Sequence, residues 1–134
     1  MTSGPKLVSI LRQGPYLIAS IHTALDDSQI VAFREDLIEQ IGRHRSTGVI
    51  IDVAALDVLD SFGARTLRTI AEMARLRGAT TVVVGIQPDV AFAIVALVMA
   101  TTGLETALDL EEGLEFLAGV TSVVSARSPA ARLR

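Results

Sequence analysis

Residues 48–67 read GVIIDVAALDVLDSFGARTL, and the fold turns on this stretch. VIIDV is a short, wholly apolar run that ends in an acid. Such a run suits a strand covered on both faces. A loop follows, and then SFGARTLRTIAEMARLRG carries helical periodicity. Gly63, Leu67, Ile70, Ala71 and Ala74 fall on one side of that helix. Arg65, Arg68, Glu72 and Arg75 fall on the other. Gly78 is placed as the C-terminal stop. Asp60 and Ser61 both have side chains that cap helices, and two caps in tandem are redundant. If Asp60 caps, Ser61 is the first helical residue and its hydroxyl points outward beside an acidic loop. That hydroxyl is then a cap held in reserve, a nucleophile, or a site that another enzyme modifies.

On the N-terminal side, KLVSILRQGPYLIASI holds two apolar runs, residues 7–11 and 16–21, with QGP as a turn signal between them. This reads as a β-hairpin. LDDSQIVAFREDLIEQIGRHR reads as a helix capped by Asp26 or Asp27, and Asp26 with Gln29 has capping-box spacing. Ile30, Phe33, Leu37 and Ile41 form its apolar stripe, with Arg34, Glu35, Asp36 and Glu39 toward water. On the C-terminal side, TTVVVGI reads as another buried strand. Pro88 then opens an apolar helix over residues 89–101. ETALDL gives a last short strand and EEGLEFLAGV a last helix. The expected order is β-β-α-β-α-β-α-β-α, a single α/β domain over residues 1–120 with a mostly parallel sheet. Residues 121–134 are expected to be a disordered, arginine-containing tail.

The chain has 134 residues, room for one good core. Half of them are hydrophobic and only 4% aromatic, so that core is built from Val, Ile, Leu and Ala. There is no cysteine, which removes disulfides, thiolate metal sites and cysteine nucleophiles. The absence of cysteine is compatible with a reducing cytoplasm. The start, MTSGPKLVSI, lacks the pattern of a secretory signal. The longest apolar run, VAFAIVALVMA, has 11 residues, whereas a membrane span needs about 20. The net charge is −3. The tail holds three of the 12 basic residues and no acid, so the body has nine bases against 15 acids, a net of −6. An acidic body with few aromatics is a poor nucleic-acid binder.

Enzyme readings find little support. A serine nucleophile needs a histidine base and an orienting carboxylate. LDSFG is not a G-x-S-x-G elbow. The two histidines are a loop residue, His22, and His44, a cation at a helix C-terminus. Asp52, Asp57 and Asp60 are clustered, but Val53, Ala54, Ala55 and Leu56 separate them with non-ligands, so no metal is expected. VVVGIQPD has one glycine and no Walker lysine, so no nucleotide cofactor is expected either.

A phosphoryl group on Ser61 would meet a helix N-terminus, which favours an anion. Arg65, one turn on, lies on the same face. Asp57 and Asp60 would repel the group. A partner docked there would meet nearly two new negative charges at neutral pH. This is how a switch on an interaction surface behaves.

These residues resemble a known family. GVIIDVAALDVLDSFGARTL is similar to the central motif of STAS domains, the anti-sigma-factor antagonist fold. IASIHTALDD, VLDSF, GIQPDVA and TALDLEEGLE resemble, more narrowly, the RsbS type of small single-domain stressosome subunit. The resemblance covers about residues 5–118. It implies a central sheet of mixed direction with covering helices. It implies a non-enzymatic antagonist that stores an RsbT-like serine/threonine switch kinase, assembled with RsbR-like STAS paralogues and reset by an RsbX-like phosphatase, with room for self-association. It makes Ser61 the phosphoacceptor. Asp60 would orient the hydroxyl or cap the helix, and Phe62 would pack under the helix start. The expected partner-binding set is Asp57, Asp60, Ser61, Phe62, Gly63 and Arg65, with Gly63 permitting close approach of a partner backbone. Thr66, Thr69, Thr101 and Thr102 are candidate secondary acceptors. The competing readings are a simple anti-sigma-factor antagonist working through the same serine, and a ligand-binding module in which helix 89–101 lines a pocket.

Overall fold

A computed structural model describes residues 7–87 and 104–126, with side chains to residue 120. Two strands come first, β1 (Val8–Gln13) and β2 (Tyr16–Ile21). They pair antiparallel across a two-residue turn, Gly14-Pro15. Gly14 has φ +60°, the conformation that a hairpin turn beginning with glycine requires. Helix α1 (Asp27–His44) follows, then β3 (Gly48–Asp52), helix α2 (Ser61–Leu76), β4 (Thr80–Val84), β5 (Leu104–Ala107) and helix α3 (Leu110–Ala126). The apolar helix expected over 89–101 lies outside the described residues.

The five strands lie in chain order, β1-β2-β3-β4-β5. After the opening hairpin every neighbouring pair is parallel. Alternation along each strand sends side chains to opposite faces. Leu17, Ala19, Val49, Ile51 and Val83 join Ile30, Phe33, Leu37 and Ile41 of α1 and Leu67, Ile70 and Ala74 of α2 in one core. Ile18, Ile50, Val82 and Val84 point the other way and meet Leu117 of α3. The apolar runs read from the sequence are thus covered on both sides, which is why they carry few polar residues, the buried Thr81 being one.

The helix ends follow from local chemistry. Asp26 caps α1 and its carboxylate accepts the Gln29 amide at 2.8 Å, while the Gln29 side chain accepts the Asp26 amide at 2.8 Å. The capping box is therefore closed in both directions. α2 ends as the glycine signal requires. Gly78 has φ +86°, its amide donates to the Arg75 carbonyl, and the Ala79 amide donates to the Ala74 carbonyl. That paired arrangement satisfies the last carbonyls of the helix. One expectation needs correction. α3 runs to Ala126, so residues 121–126 are helical rather than part of a disordered tail. No proline or glycine interrupts the chain between Gly119 and Pro129, so nothing local stops the helix at residue 120. Arg68, expected on the side opposite the apolar stripe, is only half-exposed, and its Nε is shielded without a hydrogen-bond partner among the described residues.

Candidate functional site

The parallel strands point their C-terminal ends at one cluster of loops, and α2 begins there. Asp52 closes β3 and its carboxylate accepts the Ala54 amide at 2.9 Å. The Val53 amide donates to the Val84 carbonyl at 3.0 Å. The loop after β4 then closes on the loop after β3. Gly85 has φ +77°, and a Cβ there would sit 2.8 Å from the Ala54 Cβ and 3.0 Å from Asp52 Oδ1. The Gln87 side chain donates to the Ala54 carbonyl at 2.7 Å. The Gly85 amide donates to the Leu108 carbonyl at 3.2 Å, which ties in the loop after β5.

From this braced loop the chain runs through exposed Asp57 and Val58 to the helix start. Val58 is 66% exposed, an apolar side chain left in solvent two residues before the cap. Asp60 is the N-cap of α2, and its carboxylate accepts the Gly63 amide at 2.7 Å. Ser61 is therefore the first helical residue, exposed, and its Oγ has no hydrogen-bond partner among the described residues. The amides of Ser61 and Phe62 likewise have no acceptor among the described residues, whereas the Ala64 amide donates to the Asp60 carbonyl. Phe62 is half-buried and packs against the core beside α1 and α2. Arg65 is exposed one turn on and makes no ion pair among the described residues.

The structure thus gathers Asp57, Asp60, Ser61 and Arg65 on one exposed helix terminus. Gly63 is buried, and the space its Cβ would fill is taken by Leu59 Cδ1 at 2.8 Å and Asp60 Oδ1 at 3.3 Å, so a glycine is required there by the chain's own packing. Thr66 is also a poor acceptor of modification. It is 4% exposed and its hydroxyl donates to the Phe62 carbonyl at 2.8 Å. Thr69 bonds back to the Arg65 carbonyl at 3.1 Å. Thr101 and Thr102 lie outside the described residues.

Beneath the helix start is a cavity of about 90 Å³, lined by Leu25, Ile30, Leu56 and Leu59 among others. Small-molecule sites generally occupy about 300 Å³ or more, so this cavity is too small for such a ligand. Among the described residues no group of three acids or histidines is placed to hold a metal ion. Asp52 and Asp60 are each committed to a backbone amide. No described helix is long and apolar enough to cross a membrane. Sequence reasoning found Ser61 and its cap. It missed Gly85 and Gln87, whose role depends on Ala54, a contact between residues 33 apart in the case of Gln87.

Residues 8–113 match the STAS domain family, and the chain belongs to it. In sequence it is 30% identical over 91 residues to the RsbT co-antagonist protein RsbRA of Bacillus subtilis (strain 168), a match covering 68% of this chain and 33% of that protein. The chain therefore spans about a third of that relative's length. In structure it is similar to a serine-to-glutamate variant of RsbS from Moorella thermoacetica, with a TM-score of 0.76 and 34% identity, covering 87% of this chain and 99% of that one. A chain from the stressosome, described as a signal integration and transduction hub, matches with a TM-score of 0.68 and 31% identity over 84% of this chain and 98% of its own. The unphosphorylated anti-sigma factor antagonist SpoIIAA shares the fold, with a TM-score of 0.64 at 15% identity over 85% of this chain and 97% of its own. The chain is a STAS-domain protein that resembles RsbS.

Proposed function

We propose that this chain is a non-enzymatic STAS subunit of a stressosome-type assembly, which holds an RsbT-like serine/threonine kinase and releases it when Ser61 is phosphorylated. One observation carries the reading. Asp60 takes the cap of α2, so the exposed Ser61 hydroxyl is left without a hydrogen-bond partner among the described residues. A serine in that position is available to an enzyme from outside. The kinase would bring ATP. The Ser61 Oγ–P bond forms as the bond to ADP breaks, and the hydroxyl proton passes to a base on the kinase.

The electrostatics favour a switch. The phosphate would sit at the N-terminus of α2, near the amides of Ser61 and Phe62 and one turn from Arg65, which eases its accommodation. Asp57 and Asp60 would oppose it. A partner seated over Val58 and Ser61 would meet the added charge at its interface, where like-charge repulsion and the cost of desolvating the phosphate weaken binding. The relatives support the wider setting, since one is named as a co-antagonist of RsbT and another comes from the stressosome. RsbR-like STAS paralogues are the proposed assembly partners, an RsbX-like phosphatase the proposed reset, and the cytoplasm the proposed location.

The test is binding of an RsbT-like kinase to wild-type, Ser61→Ala and Ser61→Asp proteins. Ser61→Ala should bind as tightly as wild type and Ser61→Asp more weakly. Equal binding by Ser61→Asp and wild type would sink the switch.

A further inference from the structure

The sheet ends in a bare edge. β1 is the terminal strand, with only β2 beside it among the described residues. The register fixes which backbone groups are spare. The His22 amide donates to the Leu7 carbonyl at 2.8 Å, so residues 7 and 22 are a hydrogen-bonded pair. Such pairs alternate along an antiparallel ladder. Residues 9, 11 and 13 therefore direct their backbone groups to Ser20, Ile18 and Tyr16. The N–H and C=O groups of Val8, Ile10 and Arg12 point away from the sheet.

Edge strands that must stay unpaired are blunted by proline, by bulges or by inward-pointing charges. β1 has no proline and no bulge, and its one charged side chain is exposed near the strand's end. Its six residues hold an unbroken register and include one charge, Arg12. Apolar surface flanks it on both sides. On the α1 side an open groove of about 440 Å³ runs between strand and helix, lined by Val8, Ile10, Ala32 and Phe33, with Gln29 and Asp36 also bordering it. On the other side Leu11 is 63% exposed, because α3 packs over β3, β4 and β5, reaches only Ile18 and Tyr16 of the hairpin, and leaves β1 uncovered among the described residues.

We propose that β1 is a self-association surface, on which β1 of a second copy pairs antiparallel about a twofold axis at Ile10. The strand is self-complementary in that register. Ile10 faces its own counterpart, Val8 faces Arg12 of the second copy, and Leu11 faces Ser9. Arg12 shares its face with Val8 and Ile10, which pack toward α1. Both arginines therefore lie toward the cleft between the two α1 helices, from each of which Asp36 borders the groove. The two Asp36 carboxylates repel when the helices are brought side by side, and the paired arginines offset that repulsion. The pairing joins two sheets into one and leaves Ser61 open, because α2 packs over β4 and β5, away from this edge. The proposal does not depend on what happens at Ser61.

Two measurements test it. Arg12→Pro removes an outward N–H and sets a ring on the edge without taking a hydrogen bond from β2. In sedimentation equilibrium the wild-type chain should rise to twice its monomer mass with concentration, and Arg12→Pro should stay at the monomer mass with an unchanged circular dichroism spectrum. The second measurement leaves the backbone alone and decides the matter if the proline variant does not fold. The chain has no cysteine, so Ser9→Cys and Leu11→Cys each carry a single thiol. Mixed and oxidised, the two variants should cross-link to each other at least several times faster than either does to itself. A wild type that remains monomeric at millimolar concentration overturns the proposal. So does a folded Arg12→Pro protein that dimerises like wild type, or a cysteine mixture that cross-links no faster than its components.

Discussion

The Asp60 carboxylate accepts the Gly63 amide at 2.7 Å, and this bond fixes where α2 begins. It also settles the division of labour between two adjacent residues that could each have capped the helix. The Asp60 side chain is bound to the backbone and, among the described residues, the Ser61 side chain is not. Replacing Asp60 by Ala should cost about 1 kcal/mol of stability, the usual cost of losing an N-cap side chain. Asp60→Asn should keep most of it. Urea unfolding gives the stabilities, and hydrogen exchange at residues 61–64 should speed up in the alanine variant alone.

Gly85 should tolerate no side chain. Its left-handed φ of +77° disfavours any Cβ, and that Cβ would lie 3.1 Å from the Ala54 Cα, a backbone atom that cannot swing aside. Left-handed backbone alone costs a residue with a side chain about 1–2 kcal/mol. Gly85→Ala should therefore lose at least about 1 kcal/mol in urea unfolding, and more if the loop after β3 cannot shift. Gln87→Ala removes one exposed hydrogen bond and should cost about 1 kcal/mol or less. Its signature should be local, with faster hydrogen exchange over residues 53–60 and little change elsewhere.

These two residues mark the limit of what the sequence reveals. The caps at Asp26 and Asp60, the Gly78 stop and the hairpin turn at Gly14 were legible because each is decided by residues within a few positions. The buried strands were legible because sheet faces covered on both sides leave little room for polar residues. The spare hydroxyl of Ser61 followed from capping preference. Gly85 read only as a turn after a strand, since its neighbour Ala54 comes from a different loop. Periodicity placed Gly63 on the buried side, as the structure has it, but could not say that Leu59 fills the space beside it. The end of α3 was placed at residue 120, whereas the helix runs to Ala126 with no proline or glycine between Gly119 and Pro129 to stop it.

Asp26 gives a pH dependence with a definite sign. The backbone amide of Gln29, then the Ser28 hydroxyl, holds its carboxyl below the usual carboxylate value. A group whose folded-state pKa is depressed contributes stability that is present above its unfolded pKa, near 4, and is lost as pH falls through the folded value. The gap in melting temperature between wild type and Asp26→Asn should therefore be widest above about pH 5 and should narrow below about pH 4. A gap that is constant across that range would show that the carboxylate's charge plays no part in the cap.

The Ser61 variants should separate fold from switching. Exposed, and without a side-chain hydrogen bond among the described residues, Ser61 can be replaced by Ala with a change within about 0.5 kcal/mol, as for other surface substitutions. Ser61→Asp places a negative charge in the first turn of α2, where the helix dipole favours it, so this variant should be as stable as wild type or slightly more so. Thermal unfolding of both checks this. Any loss of kinase binding by Ser61→Asp then belongs to the surface and not to the fold.

The central claim is that Ser61 is a hydroxyl held ready for phosphorylation. Its most direct test is incubation of the chain with an RsbT-like kinase and ATP, followed by mass spectrometry of the tryptic peptide that contains Ser61. The account predicts one phosphate on Ser61, absent from Ser61→Ala and not replaced by modification of Thr66 or Thr69. No phosphate on Ser61, from a kinase shown to be active on another substrate, would contradict it and leave Ser61 as the unmodified first residue of a helix.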